Sequence, residues 1–199
     1  MMLPVVIDLA RVPVTLVGRD TQALKRLGHL EADGVARARI FSDAPSEALR
    51  AYAGERLVER LPSADDLAGS RVVFIADLPP EEVSDIAIAA TIAGALVNVE
   101  DHKGWCDFHS PSVVRRGDLL ISVSTNGQSP ALAKRIRTML ETVFPASWAE
   151  RVVEIARLRR RLRAHGLAAE VAGATDALIA NRGWLPAPED AETRRHAHR

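Results

Sequence analysis

Short apolar runs alternate with glycine and acidic turns over the first hundred residues. Val14–Val17 (Val-Thr-Leu-Val) is β-branched and mostly apolar, and Gly18 stops it. Gln22–Glu31 then carries Leu24, Leu27 and Leu30 at helical spacing, with Gly34 placed to end the helix. Ala38–Phe41 predicts a second strand, Glu47–Ala53 a short helix, Arg56–Arg60 a short strand and Asp65–Leu67 a turn of helix. Val72–Ala76 is continuously apolar, as in a strand covered on both faces. Pro79–Gly94 has proline near its start, acids in its first turn and glycine at its end, so it predicts a helix, and Leu96–Val99 a further strand. Strand, turn and helix in repeated alternation predict an α/β class with a Rossmann-like parallel sheet.

The pattern changes after Pro111. Val113–Val123 reads as two β runs joined at Arg116-Gly117-Asp118. Ser129 and Pro130 suit the N-cap and first position of a helix over Ala131–Val143. Trp148–His165 and Leu167–Ala180 predict two more helices, broken at Gly166. The expected organisation is a nucleotide-type domain over 1–110, a small β and helix dimerisation segment over 111–146, a helical part over 147–185 and a frayed polar tail over 186–199.

Parallel sheets of this type bind ligands at the carboxyl ends of their strands. The residues there are Gly18, Ser42-Asp43, Asp77 and Glu100-Asp101. Gly18-Arg19-Asp20-Thr21-Gln22-Ala23 stands where a dinucleotide fingerprint wants Gly, any, Gly, any, any and Gly or Ala. Gly18 supplies the turn and Ala23 the close helix packing. Asp20 replaces the middle glycine, bringing bulk and a carboxylate to the position where pyrophosphate approaches. Ser42, Asp43 and Asp77 are further candidates for the nucleotide side, Ser42 and Asp43 toward a ribose hydroxyl.

Composition narrows the classes. Of 199 residues, 47% are apolar, enough for a packed core, while 26 basic and 26 acidic residues leave zero formal charge. That balance gives no reason to expect nucleic acid. Arg159-Arg160-Arg161 and Arg163 read as a solvated helix face. A single cysteine, Cys106, excludes an intrachain disulfide and suits a reducing compartment. The N-terminus lacks a signal-peptide pattern, and no apolar run reaches the ~18 residues of a membrane span. The reading is a soluble cytoplasmic protein.

An ordered set of motifs carries a more specific likeness. Leu3-Pro4-Val5-Val6 precedes the first strand, Val17-Gly18 opens the turn, and Phe74-Ile75-Ala76-Asp77 closes the central strand. Val97-Asn98-Val99-Glu100-Asp101 is followed by Cys106-Asp107-Phe108, Pro111-Ser112 and Ser122-Val123-Ser124-Thr125-Asn126-Gly127-Gln128-Ser129-Pro130. This series resembles the siroheme synthase dehydrogenase–ferrochelatase family, from Leu3 to about His165. The resemblance implies a Rossmann-like domain, a dimerisation segment and a helical end. It implies NAD-dependent oxidation of precorrin-2 to sirohydrochlorin and, in many members, insertion of Fe2+ as a substrate. The family's shared catalytic aspartate falls on Asp101. Arg19 and Asp20 replace two of the family's glycines, which leaves open a chelatase-only or non-catalytic tetrapyrrole-binding homologue.

The residues themselves fit a carboxylate-rich macrocycle. Ser124, Thr125, Asn126, Gly127 and Ser129 lie before a helix N-terminus, where backbone N–H groups favour anions. Ser129 also serves as a plain N-cap. Lys134, Arg135 and Arg137 follow on that helix. Asp101, at a strand end, is placed to act as a base for ring protons. Asp101, His102 and His109 suggest transient Fe2+ contact; mixed with Cys106 and Asp107 they match no structural metal spacing, so no permanent metal is expected. Trp105, Phe108 and Trp148 read as core or dimer contacts, and a homodimer is expected.

Overall fold

The chain is seen in a computed structural model that describes residues 3–35 and 37–185. The tail expected to fray from residue 186 lies outside the described residues. By its contacts the chain divides after Ser110 into two compact units. The two parts expected at 111–146 and 147–185 fall within one unit.

The first unit is a five-stranded, fully parallel sheet. Its strands are β1 (Val14–Gly18), β2 (Arg39–Phe41), β3 (Leu57–Val58), β4 (Val72–Ala76) and β5 (Leu96–Val99), in the order β3-β2-β1-β4-β5. Its helices are α1 (Thr21–Ala32), α2 (Glu47–Ala53), α3 (Ala64–Leu67) and α4 (Pro80–Ile92). The strand order reverses between β1 and β4, so the crevice of a doubly wound sheet opens there.

Alternate strand residues enter two separate cores. Leu16, Ile40 and Phe74 pack with Leu27, Leu30 and Leu49 of α1 and α2. Val17, Phe41, Val73, Ile75 and Val97 pack with Leu67, Val83 and Ile86 of α3 and α4. This explains the unbroken apolar run of β4 and the nearly apolar one of β1: both faces are covered, and period-two alternation chooses the face. The interior polar groups Thr15 and Ser70 satisfy each other, their hydroxyls 2.8 Å apart.

The element ends follow local chemistry. The Ser46 hydroxyl accepts from Leu49 N at 3.3 Å to cap α2, and Ser63 with Asp66 forms a reciprocal capping box on α3. Gly34 and Gly94 close α1 and α4 with φ of +87° and +78°, backbone that side chains resist. The strand expected over Arg56–Arg60 shrinks to Leu57–Val58. Gly54–Arg56 winds as a 3-10 turn after α2, and among the described residues β3 pairs with β2 alone.

The second unit begins with an antiparallel hairpin, β6 (Ser112–Arg116) and β7 (Leu119–Val123), in register Ser112↔Val123 through Arg116↔Leu119. Gly117 turns it at φ +58°. Helices α5 (Pro130–Val143), α6 (Trp148–Ala164) and α7 (Val171–Asn181) follow. The helix expected from Leu167 starts instead as a 3-10 turn, Ala168–Glu170, after Gly166 at φ +79°. Trp148 is buried against Phe144 and Trp184 and is a core residue, as expected. Trp105 is 39% exposed and is not one. Arg159, Arg160, Arg161 and Arg163 are exposed on α6.

Candidate functional site

The strand ends of the first unit gather most of the residues singled out from the sequence. Gly18 ends β1 in contact with β4. A Cβ placed there would lie 2.6 Å from Ala76 O and 2.7 Å from Ala23 Cβ. The glycine is therefore required by close approach. Ala23 is small for the same reason.

Asp20 is the N-cap residue of α1, but its side chain makes no capping bond. That task falls to Asp77, at the end of the neighbouring strand. One oxygen of its carboxylate, Oδ2, accepts from Asp20 N at 3.1 Å and from Ala23 N at 2.9 Å. The first N–H groups of a helix lack intrahelical partners and sit at the positive end of its dipole. They hold an oxyanion well, and here the oxyanion belongs to the protein. Thr21 is exposed, its hydroxyl 3.4 Å from Asp20 Oδ1, and Gln22 is half-buried on the first turn of α1.

Arg19 bridges three segments. Its guanidinium donates to both oxygens of Asp43, at 2.7 and 2.8 Å, and to Glu82 Oε2 at 2.6 Å. The bidentate bond to Arg19 holds the Asp43 carboxyl below its ordinary pKa, and Asp43 and Glu82 raise that of Arg19. The β1 turn, the β2 end and the start of α4 are thus tied together. Ser42 departs from the expectation of a ribose contact. It is fully buried, and its hydroxyl has no hydrogen-bond partner among the described residues.

At the β5 end, the segment from Glu100 to Ser110 is stitched back onto the strand. Asp107 accepts from Val97 N at 2.9 Å and donates its own N–H to Val97 O at 2.8 Å. Asn98 Nδ2 donates to Phe108 O at 2.8 Å. The Cys106 thiol accepts from Val99 N at 3.2 Å and lies 3.2 Å from Val99 O as a donor. Burial raises the pKa of that thiol, so it remains protonated at neutral pH and serves structure. Asp101 projects from this stitched frame as an exposed residue at φ +60°. His102 is exposed and His109 half-buried. Among the described residues, no three His, Cys, Asp or Glu side chains gather to hold a metal ion.

Sequence reading missed Arg26. It donates to Glu100 at 2.6 Å and to Ser110 at 2.9 Å, and its guanidinium carbon lies 5.0 Å from the Phe74 ring centroid. It braces the segment that carries Asp101. Only its place on α1, one turn past the glycine turn, hinted at this.

In the second unit, Ser124–Ser129 forms a self-bonded loop before α5. The Thr125 hydroxyl accepts from Ser129 N and donates to Ser129 O, both at 3.1 Å. The Ser124 hydroxyl accepts from Asn126 N at 3.2 Å. Asn126 and Gly127 are left-handed, at φ +53° and +68°. Ser129 caps α5 by accepting from Leu132 N at 3.2 Å. Lys134 and Arg135 are exposed on α5. Asp77, Asp101 and Asn126 are the non-glycine residues with positive φ among the described residues. Each is also a candidate site residue, and stored backbone strain concentrates at functional positions.

These two units define the class: an α/β domain of the NAD(P)-binding type joined to a hairpin-and-helix segment. The family described as "Putative NAD(P)-binding" matches residues 5–112, and "Sirohaem biosynthesis protein central" matches 116–142. The chain belongs to the siroheme synthase family. It is 34% identical over 165 residues to the siroheme synthase of Methylococcus capsulatus, covering 81% of this chain and 34% of that protein. It is 34% identical over 148 residues to siroheme synthase 1 of Pectobacterium atrosepticum, covering 73% and 31%. The chain thus spans about a third of the length of these curated relatives. The solved structure "SirC, precorrin-2 dehydrogenase" shares the fold, with a TM-score of 0.66 at 22% identity over 92% of this chain and 96% of that one.

The family's cofactor fits the donors present. The N–H pair of Asp20 and Ala23 already holds one carboxylate oxygen, at the place where a dinucleotide phosphate meets this fold. Asp43 stands at the β2 end, where the ribose lies in such domains. No described helix is long and apolar enough to cross a membrane.

Proposed function

We propose that this chain works in siroheme biosynthesis by oxidising precorrin-2 to sirohydrochlorin. The single observation that carries the reading is the placement of Asp101: exposed, left-handed and held at a strand end by a bonded frame. The oxidation removes one hydride and one proton from the macrocycle. The N–H groups of Asp20 and Ala23, with Asp43, would hold NAD on the β1–α1 turn, and the bound cofactor would supply the hydride acceptor. Asp101 takes the proton on its carboxylate. The Arg26–Glu100 pair keeps the Asp101 backbone in place. Insertion of Fe2+, as substrate, releases two pyrrole N–H protons, and the same exposed carboxylate is suited to accept them one at a time, passing each to solvent. His102 is exposed for a passing contact with the metal. Taken by itself, the second unit offers hydroxyls, N–H groups and a cation suited to carboxylates at Ser124, Asn126, Gly127, Ser129 and Lys134.

Exposed Leu132, Met139 and Val143 on α5 support a homodimer, and the biosynthetic role supports a cytoplasmic location. Anaerobic incubation with precorrin-2, with and without NAD+ and Fe2+, tests the reading by absorbance. Appearance of sirohydrochlorin that requires NAD+ is the expected result. No oxidation at saturating NAD+ overturns it.

A second reading is a chelatase-only or non-catalytic tetrapyrrole-binding homologue. It is favoured by the acids Asp20, Asp43, Asp77 and Glu82 around the nucleotide turn. Siroheme formed from supplied sirohydrochlorin and Fe2+, in a protein that does not bind NAD+, would select the chelatase.

A further inference from the structure

We propose that Asp77 is an internal stand-in for the cofactor's phosphate, so that dinucleotide and the Asp77 carboxylate compete for the N-terminus of α1. This rests on the NAD-dependent reading above and adds what governs cofactor affinity in this chain.

Four observations converge. First, a single oxygen, Asp77 Oδ2, takes both Asp20 N and Ala23 N, although the residues are 57 and 54 positions apart in sequence. Those donors face the crevice between β1 and β4, where the strand order reverses and a pyrophosphate binds in a sheet of this type. Second, Asp77 holds φ +55°, a conformation that costs a non-glycine residue about 1 kcal/mol. The bonds to the helix end offset that cost. Third, the N-cap residue does not compete for the same donors, since the Asp20 side chain makes no capping bond. The helix end therefore depends on Asp77. Fourth, the nearby cation is already engaged: Arg19 is bonded to Asp43 and Glu82. An incoming phosphate gains the helix end only as the Asp77 carboxylate leaves it. It then meets the carboxylates of Asp20 and Asp77 with no free arginine in the turn to offset them.

The ligand-free domain is thus capped and complete, and nucleotide affinity is set by how easily Asp77 is displaced. Asp77→Asn keeps an acceptor oxygen but removes the charge. Asp77→Gly relieves the positive φ and removes the side chain, so it serves where the amide disturbs folding.

Isothermal titration with NAD+, with ADP and with adenosine tests the competition in the full chain. Either variant is expected to bind NAD+ and ADP roughly tenfold more tightly than the unsubstituted chain, equivalent to about 1.4 kcal/mol. Adenosine, which lacks phosphate, is expected to show no such gain. The ligand-free Asp77→Asn protein is expected to melt at a lower temperature and to recover more on adding NAD+. If both proteins bind NAD+ equally, or the variants bind more weakly, Asp77 is no competitor and the proposal fails while the dehydrogenase reading stands. If neither the unsubstituted chain nor a variant binds NAD+ at millimolar concentration, both fail.

Discussion

Gly18→Ala should destabilise the first unit by about 2–3 kcal/mol, near the upper end of ordinary overpacking penalties. The added carbon would stand 2.6 Å from Ala76 O and 2.7 Å from Ala23 Cβ, with Ala76 C at 3.4 Å. The first obstacle is main chain. Gly18 and Ala76 are paired in the ladder between the two central strands, so the oxygen cannot retreat without disturbing that ladder. The second obstacle lies on the first turn of α1, whose packing against β1 fixes the N–H groups held by Asp77. Gly18 is not in the left-handed region, so alanine brings no backbone strain and the penalty is steric. Loss of glycine's freedom in the unfolded chain returns only about 0.4–1 kcal/mol. Urea unfolding followed by circular dichroism should show a midpoint lower by roughly 1 M at unchanged slope, for a slope of about 2 kcal/mol/M. The double variant with Ala23→Gly should recover only part of the loss, because the Ala76 oxygen remains. A midpoint within about 0.2 M of the unsubstituted protein would refute the reasoning, as would full recovery in the double variant.

Asp101→Gly removes the proposed base and relieves the positive φ together. Turnover of precorrin-2 should fall by about two to four orders of magnitude, the usual worth of a general base, while thermal stability rises slightly. Retained turnover would remove Asp101 from the chemistry. Asp43, Asp66 and Glu31 are all held below their ordinary pKa, by Arg19, by Arg60 with Ser63, and by Tyr52 with Arg56. Each therefore binds fewer protons folded than unfolded near its titration. Their stabilisation is complete above about pH 5 and is lost as pH falls through the unfolded and then the lower folded values. Denaturation midpoints should be flat from neutral pH down to about 5 and then drop, less steeply in Arg19→Gln; an unchanged acid limb in that variant would separate Asp43 from the effect. The half-buried, protonated Cys106 thiol, engaged by Val99 N and O, should react with iodoacetamide more slowly in the native protein than in urea, and equal rates would show that the fold does not shield it.

The sequence alone determined the layered α/β plan. Apolar runs such as Val72–Ala76 announce strands covered on both faces. Glycines at 34, 94 and 166 and the Ser129-Pro130 pair mark helix ends by local sterics and capping. The same local chemistry located the strand ends, and with them Gly18, Asp43, Asp77 and Asp101. Tertiary structure decided what those residues face. Asp77 reads as one more polar residue after a strand, and only the sheet order brings it under the first turn of α1. Ser42 looks as available as its neighbour Asp43, yet packing buries one and pairs the other with Arg19. The Arg26–Glu100 bond spans 74 positions and leaves no periodic trace. Hydrophobic period and turn chemistry act over a few residues, whereas ion pairs and borrowed helix caps depend on which distant strands lie side by side.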